Sequence, residues 1–105
     1  MSDRMVPVCR TSDVPIRQGR EFEVAGRAIA IWNVNGTFHA TDAVCPHAEG
    51  PLTAGFVTGS VVTCPMHAWM FDVATGRAVR PAMAPNLVRY NVVIEGDQVF
   101  VRLPE

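Results

Sequence analysis

The chain reads as all-β, a small sandwich or barrel of antiparallel strands. Three observations carry this. Short runs of alternating apolar and polar residues recur along the chain. Turn dipeptides separate them about every 8–12 residues. No window holds an apolar i, i+3, i+4, i+7 stripe long enough for a helix.

In chain order, the segment around Cys9 is strand-like, and Cys9 reads as a buried small hydrophobe. Ala25-Gly26 marks a turn before the strand run Arg27–Val34. Asn35-Gly36 is the strongest hairpin signal, because both residues tolerate positive φ, and it leads into Thr37–Thr41. Thr58-Gly59 places a short hairpin in the middle of the chain, and Thr75-Gly76 a further turn. In the run from Val88 to Glu95, Val88, Tyr90, Val92 and Ile94 share one face. After Gly96-Asp97, the run Gln98–Leu103 places Val99, Val101 and Leu103 on one side.

At 105 residues the chain has room for one domain, 1–105. A chain of this size buries about 65% of its unfolded surface, enough for one core with little to spare. With 18% charged and 49% hydrophobic residues it is not disordered. A net charge of −1 argues against nucleic acid, whose phosphates demand a basic footprint. The start, Met1 to Pro7, lacks the apolar run of a signal peptide, and no stretch approaches the ~18 residues of a membrane span. A soluble cytoplasmic protein that binds no membrane is therefore expected. Its three cysteines are too few and too odd in number for a disulfide framework, so any staple beyond the core should be a metal or cofactor.

The cysteines and histidines cluster. Cys45-Pro46-His47 is followed, after the insert Ala48 to Thr63, by Cys64-Pro65-Met66-His67. Each half supplies one thiolate and one imidazole, the ligands of zinc, copper and iron–sulfur centres. Pro46 and Pro65 stiffen the two loops and bias the preceding cysteines to an extended conformation. The insert is long enough to bring the second loop back beside the first, so the spacing permits one four-ligand site. Two readings compete. Tetrahedral Cys₂His₂ zinc normally uses all-cysteine and all-histidine halves. Mixed halves fit better a two-iron cluster with both cysteines on one iron and both histidines on the other.

At these residues the sequence resembles the Rieske-type [2Fe–2S] proteins. The likeness includes both ligand loops, Gly55 and Gly59, Trp69, Phe71-Asp72, Thr75-Gly76, the Pro81 to Pro85 segment and Gly96-Asp97-Gln98-Val99. It looks most like the small ferredoxins of bacterial aromatic-ring-hydroxylating oxygenase systems. The resemblance implies a Rieske fold, with a cluster-binding part at about 43–85, and one [2Fe–2S] cluster. It implies Cys45 and Cys64 as ligands of one iron, and His47 and His67 as ligands of the other. It further implies a monomeric one-electron carrier between an NAD(P)H-dependent flavoprotein reductase and a terminal oxygenase, docking transiently at the loops and Pro81–Pro85. With no room for a second catalytic domain, the chain is not itself expected to be an enzyme. Two other readings stand beside this one: a small Rieske subunit of an NAD(P)H-dependent nitrite reductase, and a zinc-stabilised structural or interaction module.

The sequence departs from the respiratory members of that family. Gly50 and Met66 stand where those proteins carry a bridging pair of cysteines. Trp69 and Phe71 stand where they carry a serine and a tyrosine that donate hydrogen bonds to the cluster. Without those donors a low potential is expected, around −150 mV. Ala68 occupies a place the family usually gives to glycine, and alanine disfavours positive φ. Trp32 reads as a packing residue and Trp69 as a shield over the cluster. Asp42, Glu49 and Asp72 read as a solvated face, His39 as a satisfied or surface histidine, and Met66 as an exposed apolar contact.

Overall fold

The described residues form ten short strands, which divide into two antiparallel sheets, and two single 3-10 turns. The structure is a computed structural model that describes residues 4–45, 50–65 and 68–103. The larger sheet holds β1 (Arg4–Arg10), β2 (Gln18–Val24), β3 (Arg27–Val34), β4 (Thr37–Asp42), β9 (Arg89–Glu95) and β10 (Gln98–Leu103). Their order is β1-β10-β9-β4-β3-β2, and the sheet curls until its edge strands β1 and β2 approach one another. The smaller sheet holds β5 (Phe56–Thr58), β6 (Val61–Thr63), β7 (Met70–Asp72) and β8 (Ala78–Arg80), in that order. It is inserted between β4 and β9.

The turn dipeptides do what their chemistry suits. Ala25-Gly26 and Asn35-Gly36 each place two successive residues at positive φ, at 51° and 81° and at 53° and 94°. That is the primed-turn geometry, whose twist matches the flanking strands. Asn33 secures the second turn, accepting a hydrogen bond from the Gly36 amide at 2.8 Å.

Strand β3 joins the two halves. It is buried on both faces, and its alternation divides its side chains between two cores. Ile29 and Ile31 enter the first, with Val24, Ala40, Tyr90, Val99, Val101 and Leu103. Ala30 and Trp32 enter the second, with Ala43, Leu52, Val62 and Phe71. Trp32 lies over β2 opposite Gly19, where an added Cβ would stand 2.4 Å from the indole ring. Its indole nitrogen donates to Thr41 Oγ1 at 2.9 Å, and the Thr41 hydroxyl donates on to the Asp42 carbonyl. Every described buried side-chain polar atom finds a partner.

The stripe expected on β9 is buried only at its centre. Tyr90 is enclosed and Val92 packs on the core, whereas Val88 and Ile94 are 52% and 41% exposed. Val88 lies just before the strand, and Ile94 pairs with Val99 beside the hairpin turn, where the sheet ends. On β10, Val99, Val101 and Leu103 are all buried.

Gly55 joins the 3-10 turn Leu52–Ala54 to β5, and a Cβ there would stand 2.0 Å from the Thr63 carbonyl oxygen. Backbone cannot yield as a flexible side-chain end can. Gly55→Ala should cost about 1–3 kcal/mol of stability, read as a lowered midpoint in thermal or urea unfolding.

Candidate metal centre

Two loops converge on the second core, and each begins at a cysteine. The first leaves β4. The Ala43 amide donates to the Ala28 carbonyl on β3, and the Ala43 carbonyl accepts from the Leu52 amide. Val44 bridges Pro51. The Cys45 amide then donates to the Gly50 carbonyl at 2.9 Å. The second loop lies between β6 and β7, where the Cys64 amide donates to the Trp69 carbonyl at 2.6 Å. Both closures run from a cysteine N–H to the carbonyl of the fifth residue onward. The closures span residues 46–49 and 65–68, and each four-residue stretch starts with proline and contains one histidine. His47, His67, Glu49 and Met66 lie outside the described residues.

Burial brings the two cysteines together. Cys45 is 0% and Cys64 2% exposed, and both belong to the cluster formed by Trp32, Leu52, Val62 and Phe71. Trp69 packs against this cluster, its ring centroid 6.5 Å from that of Phe71. No disulfide links any of the three cysteines. Two sulfur donors sealed from water, at the roots of two matched loops, suit an iron–sulfur group held by thiolates. Cys9 lies elsewhere, in the first core. Burial, and secondarily the charge of Asp13, push its thiol up to about 11, which keeps it protonated and unreactive.

Two of the three acidic residues expected on a solvated face, Asp42 and Asp72, have structural work instead. The Tyr90 hydroxyl donates to Asp42 Oδ1 at 2.6 Å, and Arg27 Nη1 donates to that hydroxyl at 3.5 Å. This ties β9 to β4 three residues before Cys45. Burial, then the bond to Asp42, raises the Tyr90 phenol above its ordinary value. Asp72 Oδ1 accepts from the Ala74 amide at 2.9 Å and shapes the turn after β7. The first partnership leaves no mark in the sequence, because Tyr90 and Asp42 are 48 residues apart.

The sequence pattern of the Rieske [2Fe-2S] domain family matches residues 4–99. The chain belongs to this family. The Rieske domain carries one [2Fe–2S] cluster, and zinc is thereby set aside. This Rieske chain is 32% identical, over 98% of its length and 99% of the relative's, to the ferredoxin component of a naphthalene 1,2-dioxygenase system from Pseudomonas aeruginosa. Its fold matches the Sphingomonas yanoikuyae B1 ferredoxin with a TM-score of 0.89, at 29% identity, over 96% of this chain and 100% of that one. It also matches a chain in the complex of reduced oxygenase and oxidized ferredoxin in carbazole 1,9a-dioxygenase, with a TM-score of 0.85 and 28% identity, over 92% and 91% of the two chains. A putative NADH-dependent nitrite reductase small subunit from Mycobacterium tuberculosis shares the fold, with a TM-score of 0.88 over 100% and 99% of the chains, at 16% identity.

Ala68 has φ +62° and donates its amide to the Cys64 carbonyl at 3.0 Å. It thus holds the left-handed conformation that a glycine would take without strain. Ala68→Gly should stabilise the protein by about 0.5–1 kcal/mol, seen as a higher unfolding midpoint with an unchanged visible spectrum.

His39, on β4, has its pKa lowered by burial first and by Arg89 next, with Asp72 opposing. The unfolded chain therefore binds this proton more tightly than the folded one. Stability is unaffected above the ordinary histidine value and falls as pH drops through 6.5 toward the lowered value. Compared by urea unfolding between pH 8 and 5, His39→Gln should lose less stability on acidification than the wild type.

Proposed function

We propose that the chain is a Rieske ferredoxin that carries single electrons from an NAD(P)H-dependent flavoprotein reductase to the terminal oxygenase of an aromatic-ring dioxygenase system. One observation carries the reading: two buried cysteines root two identically closed loops, in a chain similar over almost its whole length to such a ferredoxin component. Cys45 and Cys64 would bind one iron through sulfur, and His47 and His67 the other through ring nitrogen. When bound, the cluster takes up and releases one electron.

The chain's own residues supply the setting. Trp32, Leu52 and Phe71 enclose the cysteines in apolar surroundings, and Trp69 covers them from the side of the second loop. The hydrogen bonds at Ala43, Cys45 and Cys64 fix where the sulfurs sit. Histidine ligands would give partners a short path to the metal. The two loops and Pro81–Pro85 would meet each partner in a small, brief interface. The chain transfers electrons and performs no turnover of an organic substrate itself. We further propose that 1–105 is one domain with its cluster-binding part at about 43–85, monomeric and cytoplasmic. Among the described residues no helix is long and apolar enough to cross a membrane.

Purified protein should be red-brown, with the absorption and reduced-state EPR signature of a Rieske cluster. Cys45→Ser or Cys64→Ser should abolish both signals and the transfer of electrons. Iron without acid-labile sulfide, or zinc alone, would count against the reading.

Redox titration should give a potential near the low end of the Rieske range, around −150 mV. Trp69 and Phe71 bring no hydroxyl donor to the centre, and Phe71 is wholly buried. A value above about 0 mV would show that other donors supply the missing hydrogen bonds.

A further inference from the structure

The two most exposed large apolar side chains among the described residues are Met83, at 93%, and Phe56, at 77%. Both flank the smaller sheet at the end that carries the second ligand loop. Phe56 lies on edge strand β5. Met83 stands in the turn after β8, where the Ala84 amide donates to the Pro81 carbonyl. Registry fixes the relation between them. Val57, Val62, Phe71 and Ala78 face one another across the sheet and point into the second core. The neighbouring row, Phe56, Thr63 and Met70, therefore shares the opposite, outer face, and Arg80 pairs with Met70 across a register shift in β8. Thr63 directly precedes Cys64, and Met70 directly follows Trp69. The row thus borders the ligand loop and, continued to Arg80, spans about 14 Å, three strand spacings. Arg80 is exposed and forms no ion pair among the described residues.

We propose that this outer row, with Arg80 at its end, extends the docking surface beyond the ligand loops and is the part that recognises the terminal oxygenase. Phe56 is the distal apolar anchor and Arg80 the charged one. The inference rests on the ferredoxin reading above. The occupant is a protein face with an apolar pocket for the Phe56 ring and a carboxylate about 14 Å away for Arg80. Three features support it. The row is continuous with the loops through which electrons must pass. The exposed Phe56 belongs to neither core, and its inward neighbour Val57 does the packing. Aromatic and arginine side chains are also the residue types that most often anchor protein interfaces.

The test uses cluster-loaded protein with Phe56→Ser, Arg80→Glu and, as a control on a remote exposed side chain, Ile16→Ser (Ile16 is 56% exposed). Three quantities are measured: the rate of reduction by the reductase, the KM and kcat of the oxygenase for the reduced ferredoxin, and the potential. Phe56→Ser and Arg80→Glu should each raise that KM about tenfold. Reduction by the reductase, oxygenase kcat and potential should stay within about twofold of wild type or unshifted, and Ile16→Ser should match wild type. An unchanged KM in both row variants overturns the proposal, as does an equal loss toward the reductase. Concentration-dependent self-association that Phe56→Ser abolishes also overturns it, because the row would then serve a second copy. A wild type that delivers no electrons to any oxygenase overturns the functional reading itself, and the inference with it.

Discussion

Two cysteine sulfurs must be held close together, away from water and without being joined to each other. That constraint organises the fold around Cys45 and Cys64. A metal-binding thiolate pair cannot be placed by hydrophobic packing alone, because packing tolerates shifts that metal coordination does not. The backbone supplies the missing precision. In both loops the cysteine amide closes a ring to the fifth residue onward, so each sulfur stands at the rigid base of its loop. The first base is braced further, by β3 through Ala43 and by β9 through the Tyr90–Asp42 bond.

The two-core arrangement follows from the same requirement. A single sheet of this size could bury the N- and C-terminal strands, but it would offer no enclosed site at its end. Strand β3 resolves this by facing two ways. Its isoleucines consolidate the curled sheet, while Ala30 and Trp32 form one wall of the enclosure around the sulfurs. Gly19 and Gly55 make the close approaches possible, at an indole ring and at a carbonyl oxygen. The smaller sheet then has one face committed to the enclosure and one face free, and the free face borders the loop through which a partner is met.

Stability and reactivity are kept apart by position. Cys9 has the same side chain as Cys45 and Cys64, but it is buried in the other core, where desolvation holds the thiol protonated. His39, six residues before Cys45, lies partly buried beside Arg89, and its neutral form is the one the fold favours. Neither belongs to the cluster of buried residues around Cys45 and Cys64.

Much of this was legible in the residues. Cysteine and histidine in two mixed pairs, with proline after each cysteine, announce a two-loop metal site, because ligand chemistry depends on residue type and spacing. Asn35-Gly36, Ala25-Gly26 and Thr58-Gly59 announce hairpins, because positive φ is a local property of the chain. What pairs across long distances was not legible. The Tyr90–Asp42 staple and the exposure of Val88 and Ile94 depend on which strands lie side by side and where the sheet stops. Phe56 had the composition of a core residue, and only the register of β5 against β6 turned it outward. The sequence by itself determined the chemistry of the centre and the β character of the chain, since both are written in residue types and short spacings. The tertiary structure alone decided which cysteines share a core, which face of each strand meets water, and where an apolar side chain is left for a partner, since these depend on contacts between residues far apart in the chain.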